Sequence, residues 1–324
     1  MTFEKNILKA AQIIKDGGIV AFPTETVYGL GAGVFNTKAI EKIFRIKERP
    51  FFDPLIVHIS EIKQLELLVK KVDENILKLA EKFWPGPLTI VTEKNENVPD
   101  LVTANLPTVA VRMPNHRAAL QLIQQAGTPI AAPSANKFGR LSPTNAKHVL
   151  KQLKNIDFII DDGNTEVGIE STVISLNREG FTLLRPGVIS KQDLSAVIRY
   201  TDNKFFIQER GLQSPGLLKS HYSPKVPLYI LGEEKVNLSN KKIGFLTFGA
   251  NKEKNNQLVT ENLSPTKNLK EAATKLYEAL HKLEESGVEL IIAEPVPETG
   301  IGIAIMDRLR KAAAKKENLA EIVD

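Results

Sequence analysis

Apolar residues recur at two different spacings along this chain, and the switches between them mark out its elements. Ile7, Leu8, Ala11 and Ile14 share one face of a helix over residues 3 to 16, which Gly17-Gly18 ends. Ile19 to Phe22 is a short continuous apolar run, the pattern of a buried strand. Thr37 can cap a helix that turns Ile40, Ile43 and Phe44 inward. Leu55 to Ile59 reads as a strand, and residues 61 to 83 hold two helices. Trp84-Pro85-Gly86-Pro87 breaks that pattern before a strand from Leu88 to Thr92.

The middle repeats this rhythm. Val109 to Pro114 is a strand, Asn115 to Gln125 a helix closed by Gly127, Pro129 to Pro133 a strand, and Thr144 to Leu153 a helix. Strands follow at Phe158 to Ile160, Ser171 to Leu176 and Thr182 to Leu184. Alternating strands and helices give the α/β class, and the short connections between some strands make the sheet mixed. Residues 1–200 form one unit. Residues 201–226 are polar, weakly periodic and rich in Ser-Pro steps, so they read as a linker. Residues 227–324 form a smaller Rossmann-like α/β unit. Its strands are Val226 to Leu231, Ile243 to Phe248 and Val288 to Ala293. Its helices are Asn268 to Ser286, with Leu269, Ala272, Leu276, Leu280 and Leu283 on one face, and Gly302 to Lys315.

A length of 324 residues also favours two domains over one. The 42% hydrophobic and 25% charged fractions are those of a soluble globular protein. No apolar run approaches the roughly 20 residues of a membrane helix, and the first residues lack a signal layout, so a cytoplasmic location without membrane contact is expected. With no cysteine, disulfides, thiolate nucleophiles and Cys-ligated zinc are excluded. The five histidines are scattered and none forms His-Glu-x-x-His. The net charge of +5 fits a solvated surface better than a nucleic-acid footprint.

The chain has no Gly-Lys dipeptide, so it carries no P-loop. Gly29-Leu30-Gly31-Ala32-Gly33 lacks the third glycine of a dinucleotide fingerprint, and Gly-x-Ser-x-Gly is absent. What remains is a series of strand ends loaded with polar groups, where open α/β sheets bind ligands. Pro23-Thr24-Glu25-Thr26 is a turn followed by Gly29 and Gly31, small enough for a ligand to approach. Lys47 and Arg49 end a helix, where they either complement its dipole or clamp phosphates. Arg112, inside an apolar strand, is either in a structural ion pair or holding a carboxylate. Pro133-Ser134-Ala135-Asn136 and Ser142 bring small residues and hydroxyls. Asp161-Asp162-Gly163 reads as a turn before a strand rather than as a magnesium or acid–base site.

Taken in order, Phe22 to Gly31, Lys47-x-Arg49-Pro50, Pro54 to His58, Trp84 to Thr89, Val109 to Pro114, Pro133 to Asn136 and Glu170-Ser171-Thr172-Val173 resemble the threonylcarbamoyl-AMP synthase family, whose catalytic part is the YrdC-like domain. Ser214-Pro215-Gly216, His221-Tyr222-x-Pro224 and Gly302 to Lys311 resemble the linker and extra C-terminal domain of its long form. The resemblance implies a YrdC-like twisted mixed sheet over residues 1–200 and a linker over 201–226 that folds Tyr222 across the site as a lid. It implies a synthase that makes threonylcarbamoyl-AMP and pyrophosphate from L-threonine, bicarbonate and ATP, with Mg²⁺ accompanying ATP. Partner proteins that modify tRNA would use the product, and direct tRNA contact would be weak. By analogy Thr26, His58, Arg112, Ala132 and Thr172 form the threonine pocket. Lys47, Arg49, Asp53, Thr108, Ser134, Ser142, Arg185 and Tyr222 face ATP. Asp53 stands where the family more usually has asparagine. No residue is expected as a covalent nucleophile or a dedicated metal ligand. A non-catalytic RNA-binding module and a small-molecule-sensing regulator are the competing readings.

Overall fold

The computed structural model describes residues 2–202, 221–233, 241–250 and 259–314. Most of the linker, residues 203–220, lies outside the described residues. The first unit is built on one mixed sheet with strands β1 (Val20–Phe22), β2 (Gly29–Gly33), β3 (Ile56–His58), β4 (Leu88–Glu93), β5 (Thr108–Arg112), β6 (Ile130–Ala131), β7 (Phe158–Ile159), β8 (Thr172–Asn177) and β9 (Gly180–Arg185). Their order is β7-β1-β2-β6-β3-β5-β4-β8-β9. Parallel pairs (β1 with β7, β3 with β5, β4 with β8) sit among antiparallel ones, as the short connections predict.

The helices are α1 (Phe3–Lys15), α2 (Thr37–Lys47), α3 (Glu74–Phe83), α4 (Asp100–Thr103), α5 (Arg117–Ala126), α6 (Ala146–Gln152) and α7 (Lys191–Ser195). Side chains just ahead of three helices cap them, one differently from expectation. Asn36, not Thr37, caps α2 by accepting from the Ala39 amide, His116 caps α5, and Asn145 caps α6. Residues 61 to 83 hold only one α-helix, preceded by a 3₁₀ turn at Ile62–Leu67.

The glycine-rich run after Tyr28 is strand β2, a correction to its reading as a ligand approach. A Cβ on Gly31 would stand 2.5 Å from Ile130 Cγ2 and 2.6 Å from Phe22 Cε1, so neighbouring side chains occupy the space. Gly29 alone of the pair lines a cavity.

The second unit is a parallel sheet of β10 (Leu228–Ile230), β11 (Ile243–Thr247), β12 (Val259–Asn262) and β13 (Leu290–Ala293), ordered β10-β13-β11-β12, with α8 (Leu269–Glu285) and α9 (Ile301–Ala313). Its core is continuous with the first unit: Val27, Leu141, Ile169 and Tyr222 pack in the same cluster as Leu276, Tyr277 and Met306. Arg140 pairs with Glu284 at 2.9 Å, and the His148 and His281 rings stack at 3.9 Å across the same boundary. Among the described residues no helix is long and apolar enough to cross a membrane.

Candidate active site

Alternation along β3 and β5 decides where the polar residues go. Val57 and Val111 enter the main core, so Ile56, His58, Ala110 and Arg112 occupy the opposite face of the sheet. The cavity opens at the ends of these strands, with Ile56, His58 and Arg112 lining it from that face. Thr24 and Thr26 line it from the turn after β1, Arg49 from the loop after α2, and Ala132 and Ser134 from the end of β6. Glu170 and Ser171 enter ahead of β8, Arg185 from the end of β9, and His221 and Tyr222 from the chain before β10.

The first turn is held by its own hydroxyls. Thr24 Oγ1 donates to Val27 O at 2.7 Å and accepts from the Thr26 amide at 3.2 Å, leaving Thr26 Oγ1 to meet Arg112. Arg112 Nη1 donates to that oxygen at 2.9 Å and Nε donates to Gly86 O at 3.3 Å. Arg112 Nη2 stands 2.7 Å from Glu25 Oε2, with both side chains 4% exposed. Neither Glu25 oxygen finds a hydrogen bond, so charge alone holds this contact. Of the alternatives open for Arg112, the ion pair is present, and its guanidinium still faces the cavity. Beside it His58 packs edge-on to Phe22, with Nδ1 buried and unpartnered. Burial, reinforced by Arg112, pulls its pKa down to about 3, so the imidazole is neutral near pH 7.

The opposite side is cationic. Arg49 donates to Asp53 O at 3.1 Å and Pro54 O at 2.8 Å, and its Nη2 meets Asp53 Oδ1 at 2.9 Å. Burial lowers the Arg49 pKa and raises that of Asp53, and the charge of each opposes the other's shift. Arg185 Nε and Nη2 donate to Ser171 O and Oγ, each at 3.0 Å, and Nη1 reaches Tyr222 OH at 3.5 Å. Tyr222 is 1% exposed, adopts φ 61°, and is pushed up to about 12 by burial. A bulky residue in the left-handed region is held there only by surroundings that over-determine it.

Five expected contacts do not line this cavity. Asp53 is the counter-ion of Arg49. Lys47 lies one layer behind, donating to Ser134 O at 2.6 Å and to Asn136 O, and burial, then Arg49, push its pKa far below the usual lysine range. Thr172 spends its hydroxyl on Ile189, donating to the carbonyl at 2.8 Å and accepting from the amide at 3.1 Å. Ser142 donates to Glu170 Oε1 at 2.5 Å, behind the wall. Thr108 shares the sheet face of Arg112 but lies about 13 Å further along β5, in a separate depression with Lys94 and Asn95. Conversely, Glu25, Glu170 and Ser171 stood inside quoted motifs without a role. The only sequence signal for Glu25 was a carboxylate between two threonines in a chain that also buries a strand arginine.

Among the described residues no three His, Asp or Glu side chains converge as metal ligands. A family model for the Sua5, YciO and YrdC proteins, described as telomere recombination, matches residues 12–187. A second, described as the threonylcarbamoyl-AMP synthase C-terminal domain, matches residues 189–314. The threonylcarbamoyl-AMP synthase of Bacillus subtilis is 42% identical over 325 aligned residues, 96% of this chain and 94% of that protein. That of Pyrococcus abyssi is 41% identical over the same shares of both chains. The crystal structure of P. abyssi Sua5 complexed with L-threonine superposes with a TM-score of 0.87 at 39% identity, covering 97% of this chain and 95% of that one. On sequence and fold over nearly its full length, the chain belongs to the threonylcarbamoyl-AMP synthase family of enzymes.

Proposed function

We propose that this enzyme joins L-threonine, bicarbonate and ATP into threonylcarbamoyl-AMP and releases pyrophosphate. The observation that carries this reading is the division of one cavity into an Arg112–Thr26–His58 side and an Arg49–Arg185 side. An amino-acid carboxylate suits the first, where Arg112 offers a charged donor and Thr26 a hydroxyl. The threonine amine adds to the bicarbonate carbon with loss of water, giving a carbamate. A carbamate oxygen then attacks the α-phosphorus, and pyrophosphate leaves. Nucleophile and leaving group both belong to the substrates, so the protein's part is alignment and charge neutralisation. Neutral His58 accepts or donates one hydrogen bond there without adding charge. Arg49 and Arg185 balance the phosphates. Mg²⁺ would accompany the triphosphate and supply further charge neutralisation there.

The product would pass to proteins that place the threonylcarbamoyl group on tRNA adenosine. The test is pyrophosphate release by the purified chain with each substrate omitted in turn. Release must require L-threonine and bicarbonate together, and release indifferent to threonine would refute the reading.

A further inference from the structure

Glu170 is a buried carboxylate in the cavity wall that no step of the reaction uses. Among the described residues Ser142 is its one side-chain donor from the first unit. The others come from the second unit: Tyr277 OH of α8 lies 3.0 Å from both carboxylate oxygens, and Arg308 Nε of α9 donates to Oε2 at 3.0 Å. Arg308 is 1% exposed and also donates to Pro186 O at 2.5 Å, on the chain just past Arg185. The Tyr222 ring lies 5.7 Å from the Arg308 guanidinium carbon and 5.9 Å from the Tyr277 ring, and its hydroxyl meets Arg185. Burial opposes charge on Glu170, but Arg308, Arg185 and Ser142 outweigh it and keep the group ionised.

A buried ion pair is a poor device for docking two units, because apolar packing of the same volume serves as well. Its position is what sets it apart. One end is a carboxylate on the cavity wall, and the same cluster touches Tyr222 and the chain beside Arg185. Without its partners, Glu170 would present an uncompensated negative charge to a triphosphate.

We propose that Arg308 and Tyr277, both from the C-terminal unit, are positioning residues for the nucleotide side of the cavity. They neutralise and orient Glu170 and, through Tyr222 and Pro186, set the place of Arg185. The proposal rests on the reading that ATP binds beside Arg49 and Arg185.

The test separates the two substrates. Binding of a non-hydrolysable ATP analogue and of L-threonine is measured by calorimetry on the full chain, alongside KM values for pyrophosphate release. Tyr277→Phe removes one hydroxyl and no packing volume, so it keeps the fold; it should weaken analogue binding about fivefold, the loss of a hydrogen bond to a charged group acting at one remove. Arg308→Met should weaken it further, and Glu170→Gln with Arg308→Met should recover most of that loss, because the repelling charge is gone. Threonine binding should stay unchanged in every variant. Analogue binding unchanged in folded Tyr277→Phe, equal losses for both ligands, or a double variant no better than Arg308→Met would overturn the proposal. Wild-type protein that binds the analogue but releases no pyrophosphate would sink the reaction and leave analogue binding to decide the positioning role.

Discussion

Replacing Arg112 with alanine strands Glu25. In the intact protein both Glu25 oxygens are shielded from water, make no hydrogen bond and stand against a single cation at 2.7 Å. Removing one partner of such a pair costs about 3–5 kcal/mol, because the remaining charge is buried and uncompensated. Arg112→Ala combined with Glu25→Gln should cost less. It loses chiefly the hydrogen bonds to Thr26 and Gly86, about 1 kcal/mol each. The double variant is therefore expected to be more stable than the single one by at least about 1 kcal/mol at pH 8. Urea unfolding of wild type, both single variants and the double variant measures it. Function supplies the second half. The threonine KM should rise about 10- to 100-fold in both Arg112 variants, as expected when a charged hydrogen bond is lost, with the ATP KM little changed. A double variant no more stable than Arg112→Ala would remove Glu25 as the partner, and equal rises in both KM values would make Arg112 structural.

Thr172→Val should cost about 1–2 kcal/mol, since its hydroxyl serves Ile189, and should leave threonine affinity intact; calorimetry showing lost threonine binding at unchanged stability would return Thr172 to the pocket. Acid should destabilise the fold through buried neutral histidines. His148 and His281 are held at about 4, and His58 and His221 at about 3, in each case first by burial, against an ordinary 6.5. Below pH 6.5 the unfolded chain binds protons that the folded chain refuses. Stability therefore falls as pH drops from 6.5 towards 4 and further towards 3, by up to about 1.4 kcal/mol per pH unit for each group. Urea unfolding free energies that stay flat from pH 7 to 4.5 would contradict this.

The helices were legible because a 3.6-residue apolar rhythm survives any tertiary context, and α1, α5 and α8 fall within a residue or two of their expected ends. Strand β2 was not legible. Its three glycines have low strand propensity, and the need for Gly31, over which Phe22 and Ile130 close, exists only once β1 and β6 flank it. Edge strand β12 reads Val-Thr-Glu-Asn and has no apolar alternation to find. At the cavity, residue types at strand ends were visible, but a strand shows its two faces only after register is set. Arg112 and Thr172 both sit at strand ends, yet one faces the cavity and the other turns its hydroxyl to Ile189.

The reading of α8 shows why the C-terminal contribution stayed hidden. The sequence pattern places an apolar stripe from Leu269 to Leu283 on one face of the helix. The structure also buries Tyr277 and His281, because α8 is covered on a second side by the first unit. A polar residue beside an apolar stripe ordinarily faces water, and only the partner surface reveals that Tyr277 donates to Glu170, 107 residues away. Arg308 is the same case at greater cost: a fully buried guanidinium inside an apolar helix is intelligible only with its carboxylate in place. The first unit alone would leave Glu170 in the cavity wall without the counter-charge of Arg308 and the hydroxyl of Tyr277. The two units therefore share the buried cluster behind one cavity wall, which argues against a detachable sensor joined to a complete catalyst.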